Sequence, residues 1–274
     1  MPGLKIDDTL RMYYEIDNFV EPWLTPEAIL LVHGIAGSSV EWYAWVPRLA
    51  RKYTVVRVDL RGFGKSSIPP EGYQWSMDNF ASDLKKLLDK IGLQKVHLVG
   101  TKLGGRISFH FARDYPERLH SLTVISTPVK LGKYKPDGTE RPRVEMARGK
   151  EGLKHWARTT MKDRLGDIAP EMLEWWIKLY SSNSPRVLSE VGNLARSTDE
   201  ISVLPDIRVP TLVIAEDSNA HETMDAIKRW QTSIPNSELA VISRSGYQVS
   251  ASRPDECVSA LLGFLDKLSH KKRQ

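Results

Sequence analysis

The fold is decided by residues 96–105, which read Val-His-Leu-Val-Gly-Thr-Lys-Leu-Gly-Gly. The run Val96–Val99 is short and apolar, which is typical of a strand that is covered on both faces. From Leu103 to Tyr115 the apolar residues recur at helical spacing. Between them, residues 100–105 predict a sharp strand-to-helix turn, with glycine where a side chain would clash. The residue inside that turn is Lys102.

Other apolar runs of the same kind occur along the chain, and helical patterns separate them. The predicted buried strands are Ala28–Val32, Thr54–Val58, Val96–Val99, Leu122–Ile125 and Thr211–Ala215. A further strand is predicted at Glu238–Ile242, and the predicted opening strands are Leu4–Ile6 and Leu10–Ile16. The main intervening helices are Trp75–Ile91, Leu103–Tyr115, Met224–Ser233 and Pro254–Ser269. This alternation predicts an α/β fold with a mostly parallel eight-stranded sheet flanked by helices.

The alternation stops after Ile125 and resumes near Val209. A structureless loop of that length is implausible, and two segments within it, Lys150–Met161 and Pro170–Tyr180, have helical patterns. We therefore predict a helical cap inserted into the core. The predicted division is a core of residues 1–127 and 206–270, a cap of residues 128–205 and a basic tail of residues 271–274.

The composition narrows the class of protein. The chain has 274 residues and one cysteine, Cys257, so it has no internal disulfide, and we expect a reducing, cytoplasmic compartment. The formal net charge is +5, but Lys271, Lys272 and Arg273 in the tail carry three of those charges, so we predict no nucleic-acid partner. The sequence shows no signal-like start and no membrane-length apolar run. A monomer and a homodimer both remain possible.

Two more glycine-rich turns follow predicted strands. They are residues 33–39, His-Gly-Ile-Ala-Gly-Ser-Ser, and residues 59–66, Asp-Leu-Arg-Gly-Phe-Gly-Lys-Ser. Ligands of open parallel sheets bind beyond the carboxyl ends of the strands, so these turns and Gly100–Gly105 mark the site. Small residues after a buried strand allow backbone amides to face an anion. Trp42, just beyond the first turn, is either a pocket residue or a packing residue.

In this order and spacing, the three turns resemble those of the α/β-hydrolase superfamily, and the likeness extends over nearly the whole chain outside the predicted cap. The resemblance implies an α/β-hydrolase fold with an oxyanion hole made by the N–H groups of Ile35 and Leu103. The family's Gly-x-Ser-x-Gly elbow reads Gly-Thr-Lys-Leu-Gly at residues 100–104. Lys102 therefore occupies the nucleophile position.

The other two triad positions also depart from the family pattern. The position of the acid matches Ser218, or Asp217 if the loop is one residue shorter. The position of the histidine holds Tyr247, after Gly246. The alternative acid site after Leu122–Ile125 offers no carboxylate. An ordinary Ser-His-Asp hydrolysis is therefore not expected.

A lysine at a helix N-terminus, under a cap and with Arg106 one turn later, is predicted to have a lowered pKa. A neutral amine is a nucleophile towards ketones and aldehydes and is also a base. We therefore predict an enzyme that acts on a small carbonyl compound, a keto acid or an ester, by carbon–carbon cleavage or atypical hydrolysis. Lys102 would act with a proton relayed by Tyr247, and no cofactor or metal is expected.

The alternative is a scaffold that has lost catalysis and binds a ligand or partner. In that case Lys102 would form a buried salt bridge with Asp217 or Glu216. The residues predicted to bind substrate are Trp42, Arg106 and His221, and a plainer interpretation places His221 at an exposed helix start. A carboxylate close to Lys102 would raise the lysine's pKa instead of lowering it.

Overall fold

The computed structural model describes residues 3–131, 149–217, 222–243 and 246–272. The strands are β1 Gly3–Lys5, β2 Arg11–Asp17, β3 Ala28–Val32, β4 Thr54–Val58, β5 Val96–Thr101, β6 Leu119–Ile125, β7 Thr211–Glu216 and β8 Ser237–Ile242. They form an eight-stranded sheet in the order β1-β2-β4-β3-β5-β6-β7-β8. Strand β2 pairs antiparallel with β1 and β4, and every other pairing is parallel. The predicted fold class is confirmed.

Helices cover both faces of the sheet. They are α1 Val46–Leu49, α2 Met77–Lys90, α3 Leu103–Asp114, α4 Gly149–Leu165, α5 Pro170–Ser181, α6 Pro185–Ser197, α7 Met224–Gln231, α8 Val249–Ser252 and α9 Pro254–Lys272. Helices α4, α5 and α6 lie between β6 and β7, and we call them the inserted helices. Ser76 and Ser184 start α2 and α6, because each hydroxyl accepts a backbone N–H of the first turn.

Two apolar cores lie on opposite faces of the sheet. Leu30 and Val32 of β3 face the core that includes α2 and α3, whereas Ile29 and Leu31 face the core that includes α1 and α9. Successive strand residues point to opposite faces, so a strand buried on both faces must be apolar throughout. This explains the continuous apolar run Ala28–Val32.

The inserted helices contribute to the first of these cores through Trp156, Trp176 and Tyr180, all of which are buried. The division of the chain into a core and a separate cap at residues 128 and 205 stays a prediction, and part of that segment lies outside the described residues. No helix in the described ranges is both long enough and apolar enough to pass through a membrane.

Candidate active site

The turn between β5 and α3 holds Lys102 in a conformation that L-residues rarely adopt, with φ 53° and ψ −115°. Two glycines make the turn possible. A Cβ on Gly100 would lie 2.5 Å from the carbonyl oxygen of Gly104, and a Cβ on Gly104 would overlap the carbonyl oxygen of Val32. Because backbone atoms cannot move aside easily, both positions require glycine.

Backbone strain is concentrated around this turn. Among the described residues, the non-glycine residues with positive φ are Ala36 at 65°, Lys102 at 53° and Ser126 at 46°. Ala36 belongs to the turn after β3, and Ser126 directly follows β6. Such residues cost stability and are found mainly at functional sites. All three lie beyond the carboxyl ends of neighbouring strands, where the sequence predicts the site.

The predicted oxyanion turn lies against the elbow. A Cβ on Gly34 would be 3.1 Å from the Cβ of Lys102. The N–H groups of Ile35 and Leu103 donate no hydrogen bond to any other group in the described part of the chain. Unpaired N–H groups at such a turn are available to an anion. Their role as an oxyanion hole stays a prediction.

The amine of Lys102 contacts Tyr247 and Glu216. Its Nζ donates a hydrogen bond to the backbone carbonyl of Tyr247 and lies 4.5 Å from the centroid of the Tyr247 ring. It also lies 3.9 Å from Oε1 of Glu216. A carbonyl acceptor, an aromatic face and a carboxylate each favour an ammonium. These contacts act against the expected neutral amine, and the charge state of Lys102 stays a prediction.

Glu216 is the carboxylate that faces Lys102. It is the last residue of β7 and has no exposed surface. Its Oε2 accepts a hydrogen bond of 2.6 Å from the hydroxyl of Ser126, and its Oε1 has no hydrogen-bond partner among the described residues. Burial raises the pKa of Glu216, although the charge of Lys102 opposes this effect.

Of the two residues predicted for the acid position, the structure describes Asp217. The side chain of Asp217 is exposed, and its N–H donates to the carbonyl of Ile242, so Glu216 takes the place that we predicted for Asp217. Ser218 and His221 lie outside the described residues. Tyr247 is buried and contacts Lys102 as described above, and its proton relay stays a prediction.

Arg106 is not available to a substrate. Its guanidinium donates to Glu200 at 2.7 Å and also to oxygens of Ala195 and Thr198. These acceptors neutralise its charge and use its donors, so Arg106 neither binds substrate nor acts as an uncompensated like charge beside Lys102. Glu200 also bonds with His110, and the pKa of His110 is raised because its carboxylate partners outweigh burial.

Trp42 is a packing residue. It is buried in the core that includes α1 and α9, where its ring meets Trp45 edge-on at 5.0 Å between centroids. This packing favours the second of the two interpretations of Trp42, and substrate binding by Trp42 stays a prediction. In the parts of the chain that the structure describes, no cluster of three or more histidine, cysteine, aspartate or glutamate side chains is suitable for a metal.

Two buried groups support the turn after β3. His33 contacts the carbonyl of Gly34 through Nδ1 at 2.7 Å and accepts the N–H of Leu60 through Nε2 at 2.9 Å, so it braces two turns as a neutral ring. Burial lowers the pKa of His33. Glu41, which the sequence analysis missed, accepts the N–H of Gly34 at 3.3 Å. Burial raises the pKa of Glu41 to about 8.

The inserted helices contact two of the site's turns. Asn183, just after α5, donates to the carbonyl of Ala36 at 2.7 Å. The carbonyl of Arg164, in the last turn of α4, accepts the N–H of Gln248 at 2.8 Å, and the hydroxyl of Tyr180 donates to the Gln248 side chain at 3.0 Å. The segment that carries Tyr247 is thus held by α4 and α5.

Comparison with known proteins agrees with this architecture. A family model described as the alpha/beta hydrolase fold matches residues 27–163, half of the chain. The chain belongs to this family.

The relatives and solved structures that match most of the chain include a hydrolase, an esterase and a lactonase. The soluble epoxide hydrolase of Corynebacterium sp. is 26% identical, with 88% of this chain and 90% of the relative covered. The carboxylesterase YbfK of Bacillus subtilis is 26% identical, with 87% and 80% covered. The crystal structure of an enol-lactonase from Burkholderia xenovorans superimposes with a TM-score of 0.84 at 20% identity, over 94% and 98% of the two chains. At that identity the lactonase supports the fold alone.

Proposed function

We propose that this protein is an enzyme that acts on a small carbonyl compound, a keto acid or an ester, with Lys102 in place of the serine nucleophile. One observation carries the proposal: the Lys102 amine lies 3.9 Å from a buried carboxylate oxygen of Glu216 that has no hydrogen-bond partner among the described residues. The strained turns around it support an intact reaction site. The hydrolase relatives support an enzyme of the same superfamily.

The ammonium must lose a proton before it can attack. Glu216 is suited to accept it, because burial has raised the pKa of the carboxyl and Oε1 lies 3.9 Å from Nζ. Transfer of the proton replaces a buried ion pair with two neutral groups, which a dry site tolerates. We propose Glu216 as the base that activates Lys102 when a substrate excludes water.

The reaction with a ketone then proceeds by addition and loss of water. The neutral amine forms a bond to the carbonyl carbon, and the N–H groups of Ile35 and Leu103 hold the developing negative oxygen. That oxygen takes one proton from the nitrogen and one from Glu216 and leaves as water, which gives a protonated imine on Lys102. The imine accepts the electron pair of the bond between the two carbons beyond it; the departing carbon leaves as carbon dioxide if it is a carboxylate, or as an aldehyde if its hydroxyl gives up a proton. With an ester, the neutral amine instead takes a proton from a water molecule, which attacks the carbonyl carbon and expels the alcohol.

Reductive trapping tests this proposal. We expect borohydride with a panel of small keto acids and aldehydes to add one substrate-derived mass to the peptide that contains Lys102. Lys102→Met removes the adduct, and Lys162→Met, which changes an exposed lysine of α4, keeps it. Glu216→Gln slows turnover about a hundredfold or more while ligand binding persists, because the base is lost. Adducts spread evenly over surface lysines would refute the proposal.

A second candidate is a binding protein without catalysis. It is favoured by the contacts of the amine with the Tyr247 carbonyl and ring, which hold an ammonium without any substrate. In this case a ligand would bind with measurable affinity, no adduct would form across the panel, and Lys102→Met would weaken binding alone.

A further inference from the structure

The guanidinium of Arg164 lies among three aromatic rings. Its Cζ is 5.1 Å from the centroid of the Trp156 ring, 5.3 Å from that of Tyr180 and 5.4 Å from that of Tyr247. Arg164 is only 9% exposed. Aromatic faces attract a cation, but they do not use its N–H donors.

Within the part of the chain that the structure describes, Arg164 differs from the other buried arginines in having no carboxylate partner. The buried arginines that pair with Asp or Glu in the described ranges are Arg57, Arg61, Arg106 and Arg118. Arg164 takes part in none of the ion pairs among the described residues, and its side chain's hydrogen bond there is the 3.3 Å contact of Nε with the Thr160 hydroxyl. A buried cation without a partner is costly, so the site is built for an anion that binds from outside.

A second unpaired donor lies beside it. The indole N–H of Trp156 is buried and has no hydrogen-bond partner among the described residues. Guanidinium and indole groups are donors only, so the ligand that satisfies them must be an acceptor. A carboxylate suits the planar, charged fork of arginine.

Arg164 and Lys102 lie against the same aromatic ring. Lys102 and Arg164 both lie against the Tyr247 ring, with Nζ at 4.5 Å and Cζ at 5.4 Å from its centroid. We infer that Arg164, with the Trp156 indole, is a carboxylate subsite that determines specificity, and that the ligand is a small oxo acid whose carbonyl reaches Lys102. The inference that the ligand has an oxo group rests on the proposed function. The inference that it has a carboxylate depends on the surroundings of Arg164 and not on that function.

Calorimetric titration of matched acids and esters tests the subsite. The probes are pyruvate and levulinate, each compared with its methyl ester. We expect the wild-type protein to bind an acid at least about tenfold more tightly than its ester, because hydrogen bonds to a buried charge are strong. Equal affinities, or no measurable binding of any acid, would overturn the inference without the use of a variant.

Variants of helix α4 complete the test. Arg164→Met keeps the length and removes the charge, and it should abolish the preference for the acid while the ester binds as before. Arg158→Met is the matched control, because Arg158 is an exposed residue of α4 that pairs with Glu174, and it should keep the preference. Thermal melting establishes that each variant folds, and Arg164→Gln, which also removes the charge, serves if Arg164→Met does not fold. A folded Arg164→Met that still prefers the acid would overturn the inference.

The failure of this inference can be distinguished from failure of the proposed function. Lys102→Met should lose the borohydride adduct and keep the preference for the acid. A wild-type protein that prefers the acid but forms no adduct would refute the enzyme and leave the subsite. A wild-type protein that forms the adduct equally with acid and ester would refute the subsite and leave the enzyme.

Discussion

Glu41 makes the stability of this protein depend on pH, and the substitution Glu41→Gln isolates that effect. The side chain is buried under the turn that carries Ile35, where its Oε1 accepts the N–H of Gly34. Glutamine has the same size and keeps a carbonyl oxygen for this hydrogen bond. The substitution therefore removes the titration with little change in packing.

Burial raises the pKa of Glu41 from its ordinary value of 4.5 to about 8. Between these values the folded protein keeps a proton that the unfolded chain has released. The free energy of unfolding therefore falls by about 1.4 kcal/mol for each pH unit, and by about 5 kcal/mol over the window. The stabilisation is complete below the unfolded pKa and is lost as the pH rises through the folded pKa.

Urea unfolding measures how the free energy of unfolding changes with pH. The measurements run from the pKa of Glu41 in the unfolded chain to its pKa in the folded protein. The difference between wild type and Glu41→Gln is the quantity of interest, because other titrating groups, His33 among them, contribute equally to both proteins. We expect the free energy of unfolding of Glu41→Gln to rise steadily relative to that of the wild type as the pH rises. Glu171→Gln, at an exposed site of α5, should follow the wild type. Parallel curves for Glu41→Gln and wild type would show that this carboxyl is not held protonated.

Two further substitutions test the framework around the site. Glu200→Gln should lower the free energy of unfolding by about 3–5 kcal/mol in urea, because it leaves the Arg106 guanidinium buried without its counterion. The exposed control Glu174→Gln should cost at most about 1 kcal/mol, and similar losses would contradict the argument. Gly104→Ala should destabilise by about 1–3 kcal/mol or more, because its Cβ meets backbone. Gly263→Ala should stabilise α9 by about 0.5–1 kcal/mol, because there is open space around this glycine. Equal melting temperatures for the two alanine variants would refute this account.

Much of the fold is predictable from the sequence because turn residues mark the ends of the buried strands. Strands β3 and β4 begin and end at the residues predicted, since β3 is a continuous apolar run and β4 departs from one only at Thr54 and Arg57. Helix α6, Pro185–Ser197, was not predicted. Its buried residues Val187, Val191 and Ala195 recur at helical spacing, but Gly192 and polar residues interrupt the apolar pattern.

The site is predictable in its backbone and less so in its side chains. The glycines around Lys102 mark the elbow, because only glycine fits there. Which carboxylate meets the amine depends on the register of one strand end, since Glu216 and Asp217 point in different directions. The partner of Arg106 lies 94 residues away in the sequence, so local spacing could not identify Glu200.

The contact between α4 and Gln248 has a consequence for Lys102. Helix α4 supplies the backbone acceptor for Gln248 and the cation beside the Tyr247 ring, so one helical turn contacts two neighbouring residues of the same segment. The carbonyl of Tyr247, in that segment, accepts the hydrogen bond of the Lys102 amine. The position of the amine therefore depends on the last turn of α4, which is about sixty residues away in the sequence.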